Sequence, residues 1–223
     1  MLKKAKFTAL SAFFIFSFTS ISAQGITTAS DFFKSVSDHY ATISDYEADV
    51  DISVNGSQMS GKVSFKRPEM LRIDFTEPAE QVFLFNGDDL TIYLPGASAI
   101  LEQSVSSSGA SAATPQGLNL LRRYYTVAYE TGQDAVPLED GSDEMVVNLI
   151  FYRRSASEAF SEIKISVESS TLLVRRVIAT TPQNETFTFD FYNYKLNTNM
   201  NDQRFIYEPP SSANEYNNFL FSE

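Results

Sequence analysis

The chain has 223 residues, with 28 acidic and 17 basic side chains for a formal charge of −11, one histidine and no cysteine. The acidic balance argues against a nucleic-acid partner, because affinity for phosphate backbones comes from neutralisation by lysine and arginine, and against adsorption to an anionic membrane surface. The missing cysteine removes any disulfide framework or lipidation site, and a single histidine leaves no ordinary zinc ligand set, so no metal or other cofactor is expected.

Lys3, Lys4 and Lys6 precede an apolar run from Phe7 to about Phe18 and small residues ending at Ser22-Ala23. That run is too short to span a bilayer and ends like a cleavage site, so residues 1–23 read as a signal peptide, cut after Ala23 or after Ser22. Loss of its three lysines moves the formal charge from −11 to −14. Residues 24–223 are expected to form one exported domain of a size ordinary for a β-rich fold.

Thr28 to Ser44 reads as the one long helix, since Phe33, Val36, Tyr40 and Ile43 recur at spacings of three and four. Thr28 with Asp31 three residues later suits its start, because a side-chain oxygen can satisfy free amides there. From Tyr46 the period changes to two: Tyr46, Ala48, Val50, Ile52 and Val54 alternate with polar residues, the pattern of a strand with one wet face. Asn55-Gly56 supplies a hairpin turn, and Val63 and Phe65 continue the apolar face on the return strand.

Further strands are expected at Met70–Thr76, Gln81–Phe85, Leu90–Leu94, Tyr124–Glu130, Met145–Tyr152, Glu162–Glu168, Leu172–Thr180 and Thr186–Tyr194. Turn signals separate them at Glu77-Pro78, Asn86-Gly87, Asp140-Gly141 and Pro182-Gln183-Asn184. Many antiparallel strands without a regular strand–helix alternation imply a mainly β (α+β) architecture, a large curved sheet or barrel. The Ser/Ala-rich segment Gln103–Thr114 breaks the rhythm and leads through Pro115 into a short helix with Leu118, Leu120 and Leu121. It reads either as a surface insertion or as a functional lid.

No catalytic constellation stands out. His39 lies on the polar side of the first helix, no Gly-x-Ser-x-Gly elbow occurs, and no glycine-rich loop opens a helix as a phosphate cradle. The acidic pairs Asp88-Asp89 and Glu139-Asp140 sit beside glycines in turns, where such residues are common. The chain is not expected to be an enzyme.

The run Val63-Ser64-Phe65-Lys66-Arg67-Pro68, then Leu71-Arg72-Ile73-Asp74-Phe75, Pro78, Asn86-Gly87 and Tyr93-Leu94-Pro95 resembles the central signature of the LolA family of lipoprotein carriers. The late run Phe205-Ile206-Tyr207-Glu208-Pro209-Pro210 resembles that family's ending. Tryptophans that recur in many members are missing. The resemblance implies an incomplete, curved antiparallel barrel closed by the N-terminal helix and a short lid helix, with an apolar cavity for acyl chains. It implies a soluble periplasmic carrier of acylated lipoproteins, expected as a monomer, that takes them from an inner-membrane exporter toward an outer-membrane receptor. Another amphiphile on the same fold remains the alternative.

Within that frame Arg67 is the leading site residue. Alternation with Val63 and Phe65 places it on the apolar face, where an unpaired charge is costly, and the resemblance implies backbone carbonyls of the lid as its acceptors. The plain reading is a strand-end arginine reaching solvent or Glu69. Leu71, Ile73 and Phe75 are expected to line the cavity, with Val82, Leu84, Leu90 and Ile92 as further members and Leu118 and Leu121 as the lid's inward contacts. Sequence alone does not separate a fillable cavity from a filled core.

Overall fold

A computed structural model describes residues 27–104 and 115–217. Residues 1–26, which include the expected signal peptide, residues 105–114 of the Ser/Ala-rich segment and residues 218–223 lie outside the described residues. Helix α1 (Ala29–Tyr40) begins as expected, with the Thr28 hydroxyl accepting from the Asp31 amide at 3.1 Å. It stops short of Ser44 because the Thr42 hydroxyl donates back to the His39 carbonyl at 2.7 Å, a local bond that competes with continuing the helix. Phe33, Val36, Tyr40 and Ile43 are buried.

The strands are β1 (Asp45–Val54), β2 (Ser57–Lys66), β3 (Met70–Glu77), β4 (Val82–Phe85), β5 (Asp89–Leu94), β6 (Ala99–Ser104), β7 (Tyr125–Tyr129), β8 (Val136–Pro137), β9 (Met145–Arg153), β10 (Glu162–Glu168), β11 (Val174–Thr180), β12 (Thr186–Leu196) and β13 (Asn214–Asn217). They form one sheet in the order β13-β6-β5-β4-β3-β2-β1-β12-β11-β10-β9-β7, with β8 beside β9. All pairings are antiparallel except that of β13 with β6. The ends of the order do not pair, so this mostly β sheet is open and curved as expected. Helix α2 (Pro115–Tyr124) runs directly into β7.

Three strands lie outside the sequence reading. β6 mixes apolar and polar residues without a clean period, β8 is a two-residue pairing, and β13 is polar and exposed. β6 forms because a short turn at Pro95–Ala97 returns the chain onto β5, and β13 because residues 197–213 bring it alongside β6. The expected Asn55-Gly56 hairpin is present: both residues have positive φ, 48° and 86°, and Val54 pairs with Ser57.

Directly paired residues share a face of a sheet. Tyr46 opposes Phe65, Ala48 opposes Val63, and Val63 in turn opposes Ile73, so one apolar face runs across β1, β2 and β3. On the far side of β1, Val50 and Ile52 oppose Phe191 and Phe189 of β12. The principal core fills this concave face under α1 and α2. The convex face carries ion pairs, including Lys62–Asp49 at 2.7 Å and Arg176–Asp190 at 2.5 Å.

Gly61 of β2 pairs with Val50 of β1 on one side and Phe75 of β3 on the other. A Cβ there would lie 2.5 Å from the Asp74 carbonyl oxygen, a backbone atom that cannot swing away. Gly61→Ala is therefore expected to cost about 2–3 kcal/mol in chemical denaturation, through forced displacement of β3 against β2. A loss below a few tenths of a kcal/mol would show that β3 yields at this point.

Candidate functional site

An apolar cavity of about 250 Å³ lies between the concave face and the helices. Tyr46 and Val50 of β1, Val63 of β2 and Leu71 and Ile73 of β3 form one wall. Ile163 and Ile165 of β10, Val177 and Ala179 of β11 and Phe189, Phe191 and Tyr194 of β12 form the other. Leu118 and Leu121 of α2 and Phe160 from the loop before β10 cover it. The spacing of three residues between Leu118 and Leu121 puts both on one helix face, and both are buried.

The polar groups at its edge are engaged. The Tyr40 hydroxyl accepts from the Val174 amide at 3.0 Å, and the Tyr194 hydroxyl donates to the Val174 carbonyl at 2.8 Å. The two hydroxyls meet the backbone of the same residue, one at its amide and one at its carbonyl. Tyr46 packs against Tyr194 with ring centroids 5.5 Å apart. Tyr40 and Tyr194 thus offer the cavity their rings while the backbone of β11 takes their hydroxyls.

The sequence-predicted site residues fall into three groups. Leu71, Ile73, Leu118 and Leu121 line the cavity. Phe75 and Leu90 belong to the same core without lining it, and Ile92 lies on the same face, half-buried beyond it. Val82 and Leu84 do not belong to the cavity. β3 pairs Leu71 with Phe85 and Ile73 with Phe83, so Phe83 and Phe85 take the concave face and Val82 and Leu84 point outward. There they pack with Tyr93, Ile100 and Phe205 in a second cluster. The phase of β4 is one residue away from the expected one, which exchanges its faces.

The placement of Arg67 also corrects the expectation. β2 ends at Lys66, so the alternation does not reach Arg67, which is exposed. Its guanidinium donates to the Ala41 carbonyl and more weakly to the Tyr40 carbonyl at 3.4 Å, in the last turn of α1 rather than in α2. It caps the carbonyl end of the helix, where a cation is favoured. The peptide bond to Pro68 that follows is cis.

The run at Phe205–Tyr207 does not reach the cavity. Phe205 is buried on the outer face, Tyr207 stacks near Tyr93 with centroids 5.9 Å apart, and the Arg72 guanidinium lies 5.7 Å from the Tyr207 ring centroid. Arg72 also donates to the Arg204 and Ile206 carbonyls at 3.0 and 3.2 Å and to Asp74, which pairs in turn with Arg204. Lys66 pairs with Asp202 and donates to the Met200 carbonyl at 2.6 Å. The terminal segment is therefore strapped across the back of β2–β6.

Most of the cavity residues that sequence reasoning left unassigned lie in the second half of the chain, Phe160, Ile163, Ile165, Val177, Phe189 and Phe191 among them, and Tyr40, Tyr46, Val50 and Val63 add to them from the first half. The signal existed for β12, where Phe187, Phe189 and Phe191 alternate with polar residues. Phe160 carried none, being a single aromatic in a polar loop.

The sequence profile of the family described as outer membrane lipoprotein carrier protein LolA matches residues 51–208. The chain belongs to the LolA family. No curated protein matches it. Among solved structures it is similar to an uncharacterized conserved protein from Thermus thermophilus, with a TM-score of 0.55, 12% identity, and coverage of 82% of this chain and 98% of that one. It is also similar to the Pseudomonas aeruginosa MucA/MucB complex structure, with a TM-score of 0.52, 11% identity, and coverage of 83% of this chain and 62% of that one. At these identities the likeness is one of fold.

Two outcomes follow from the site. Burial pushes the Tyr46 and Tyr194 hydroxyls well above the ordinary value of 10.0 and raises that of Tyr40. A folded value above the unfolded one gives a contribution to stability that is complete below the ordinary value and lost as pH rises through the folded value. In an alkaline titration, part of the tyrosinate absorbance should therefore appear only together with cooperative loss of circular dichroism; its appearance in a still-folded protein would contradict the burial. Arg67→Leu should keep the fold and cost about 0.3–1 kcal/mol in denaturation, the worth of an exposed helix-end cation. Global unfolding would show a larger structural role.

Proposed function

We propose that the chain is a periplasmic carrier, without catalytic function, that encloses the acyl chains of lipoproteins beneath α2. In this reading it receives them from an inner-membrane exporter and moves them toward the outer membrane, where a receptor takes them. Family membership supports the reading, and the observation that carries it is the cavity of about 250 Å³ between the two halves of the sheet, walled by aliphatic and aromatic side chains.

The energetics favour enclosure. Burial gains roughly 0.8 kcal/mol per methylene, so a sixteen-carbon chain gains on the order of 12 kcal/mol and does not cross water unshielded. The cavity of about 250 Å³ exceeds the ~150 Å³ that takes benzene. It lies just below the ~300–1,000 Å³ common for sites that enclose larger ligands. Holding a whole acyl chain therefore requires α2 to move outward, and α2 is the short element that Leu118 and Leu121 fasten over the opening.

The small volume favours one second reading, a carrier or sensor for a single-chain lipid or other amphiphile. Native mass spectrometry of protein purified from its own compartment separates the two. An acylated lipoprotein at equal stoichiometry supports the carrier reading, and a free lipid the alternative. Ala179→Phe tests both, since Ala179 faces the void. The larger ring should fill space and leave the melting temperature unchanged or higher, while affinity for a fluorescent fatty acid falls at least about tenfold. Strong destabilisation with unaltered binding would show a filled core and overturn the enclosure of ligand at this place.

A further inference from the structure

The whole-chain charge argues against anionic surfaces, yet the cations are not evenly spent. Lys34, Lys62, Lys66, Arg72, Lys164, Arg175, Arg176, Lys195 and Arg204 each have a carboxylate partner. Arg67 caps α1. The remaining arginines, Arg122, Arg123, Arg153 and Arg154, have no ion pair among the described residues, and they gather at one end of the sheet.

Arg122 and Arg123 form the last turn of α2 and are exposed. Arg154 follows β9; its backbone amide donates to the Tyr124 carbonyl at 2.9 Å and its Nε to the Tyr125 carbonyl at 3.1 Å, which holds it against the α2–β7 junction. Arg122, Arg123 and Arg154 share a surface groove with Thr126 and Asn119. Arg153 pairs across the sheet with Tyr125, and Glu158 is the carboxylate whose charge reaches Tyr125 there. Two exposed aromatics flank the group: Tyr124, 38% exposed with Arg123 over its ring at 5.4 Å, and Tyr152, 48% exposed and opposite Thr126.

We propose that this arginine and tyrosine patch docks the protein on the headgroup surface of an anionic phospholipid bilayer, with α2 toward the membrane. Guanidinium groups recognise phosphate oxygens through paired hydrogen bonds. Tyrosine rings settle at the headgroup level, with an apolar body and a wet tip. The chain's many carboxylates oppose this only locally, because charges farther off than a Debye length of about 8–10 Å are screened. The docked orientation sets the patch beside the helix whose inner face, through Leu118 and Leu121, covers the cavity. The position of cargo transfer rests on the enclosure reading above; the docking itself does not.

The test is flotation of the full processed chain with vesicles of phosphatidylcholine alone or with one third phosphatidylglycerol. The wild type should float only with the anionic vesicles and be released at ~0.5 M salt, where the Debye length shrinks to a few ångströms. Arg122→Gln with Arg123→Gln should lower partitioning roughly twenty-five-fold, about fivefold for each arginine. Lys34→Gln with Lys195→Gln removes the same charge from exposed sites elsewhere and should leave flotation unchanged. Failure to float with anionic vesicles overturns the proposal, as does equal loss in both double variants, or capture of an acidic peptide without vesicle binding. Fatty-acid probe uptake, read in parallel on all variants, reports on the cavity: its loss in the wild type would sink the enclosure reading and leave the docking result standing.

Discussion

The pairing of β1 with β12 is the constraint on which the architecture depends. These strands are distant in sequence, and their ladder, from Tyr46 opposite Leu196 to Val54 opposite Phe187, joins two antiparallel meanders into one sheet. Neither meander has its apolar face closed by itself. Joined at the seam, Val50, Phe189 and Phe191 from the central strands meet Ile73 from one half and Ile165 from the other around a common space. The seam is fastened at its end as well as along its length. Buried Asp45 accepts from the Thr198 amide and hydroxyl at 2.7 and 2.8 Å, the Ser44 amide donates to the Asn197 side chain at 2.7 Å, and Asn193 donates to Asp49 at 2.8 Å. A buried carboxylate held by such bonds is costly to leave unsatisfied, so these contacts fix register as well as add stability.

The two faces of the sheet are then closed by different means. Inside, α1 sets Phe33 edge-on to Phe151 at 4.7 Å and contributes Tyr40 to the rim of the cavity. Outside, the terminal segment covers β3–β6 with Phe205 and Tyr207 and anchors them through Arg72, Asp74 and Arg204. The same strands therefore have apolar layers on both faces, and this half forms a stiff wall.

Much of this was legible because the chain obeys simple periods. Thr28 and Asp31 mark the helix start, and Tyr46 to Val54 alternate cleanly, since one face of β1 meets the core and the other water. The same rule fails at Val82-Phe83-Leu84-Phe85, where every residue is apolar because both faces are covered. A continuous apolar strand carries no phase, and here the phase is set by pairing with β3 and by Phe205 arriving from far along the chain. The alternation that would turn Arg67 inward holds only to Lys66, the last residue of the strand. The arginine patch escaped for a different reason: Arg122-Arg123 and Arg154 are far apart in sequence and meet only where α2 runs into β7 beside β9. Net charge is read from composition, whereas a patch is a property of the fold.

The division of stiffness says which part would give way if the cavity enlarged for the proposed ligand. Opening the wall of β2–β6 would expose two apolar layers and break the strap of ion pairs behind it. α2 is a ten-residue helix that packs chiefly on α1 and β7 and covers the void through Leu118 and Leu121. Fully burying a leucine is worth about 1.5–3 kcal/mol, so these two hold the helix down with roughly 3–6 kcal/mol. An acyl chain of sixteen carbons brings on the order of 12 kcal/mol when it leaves water. Under the proposed enclosure, such a ligand would outweigh the closure by a margin large enough to open it and small enough for a second apolar site to take the ligand back, the balance that a reversible carrier would require.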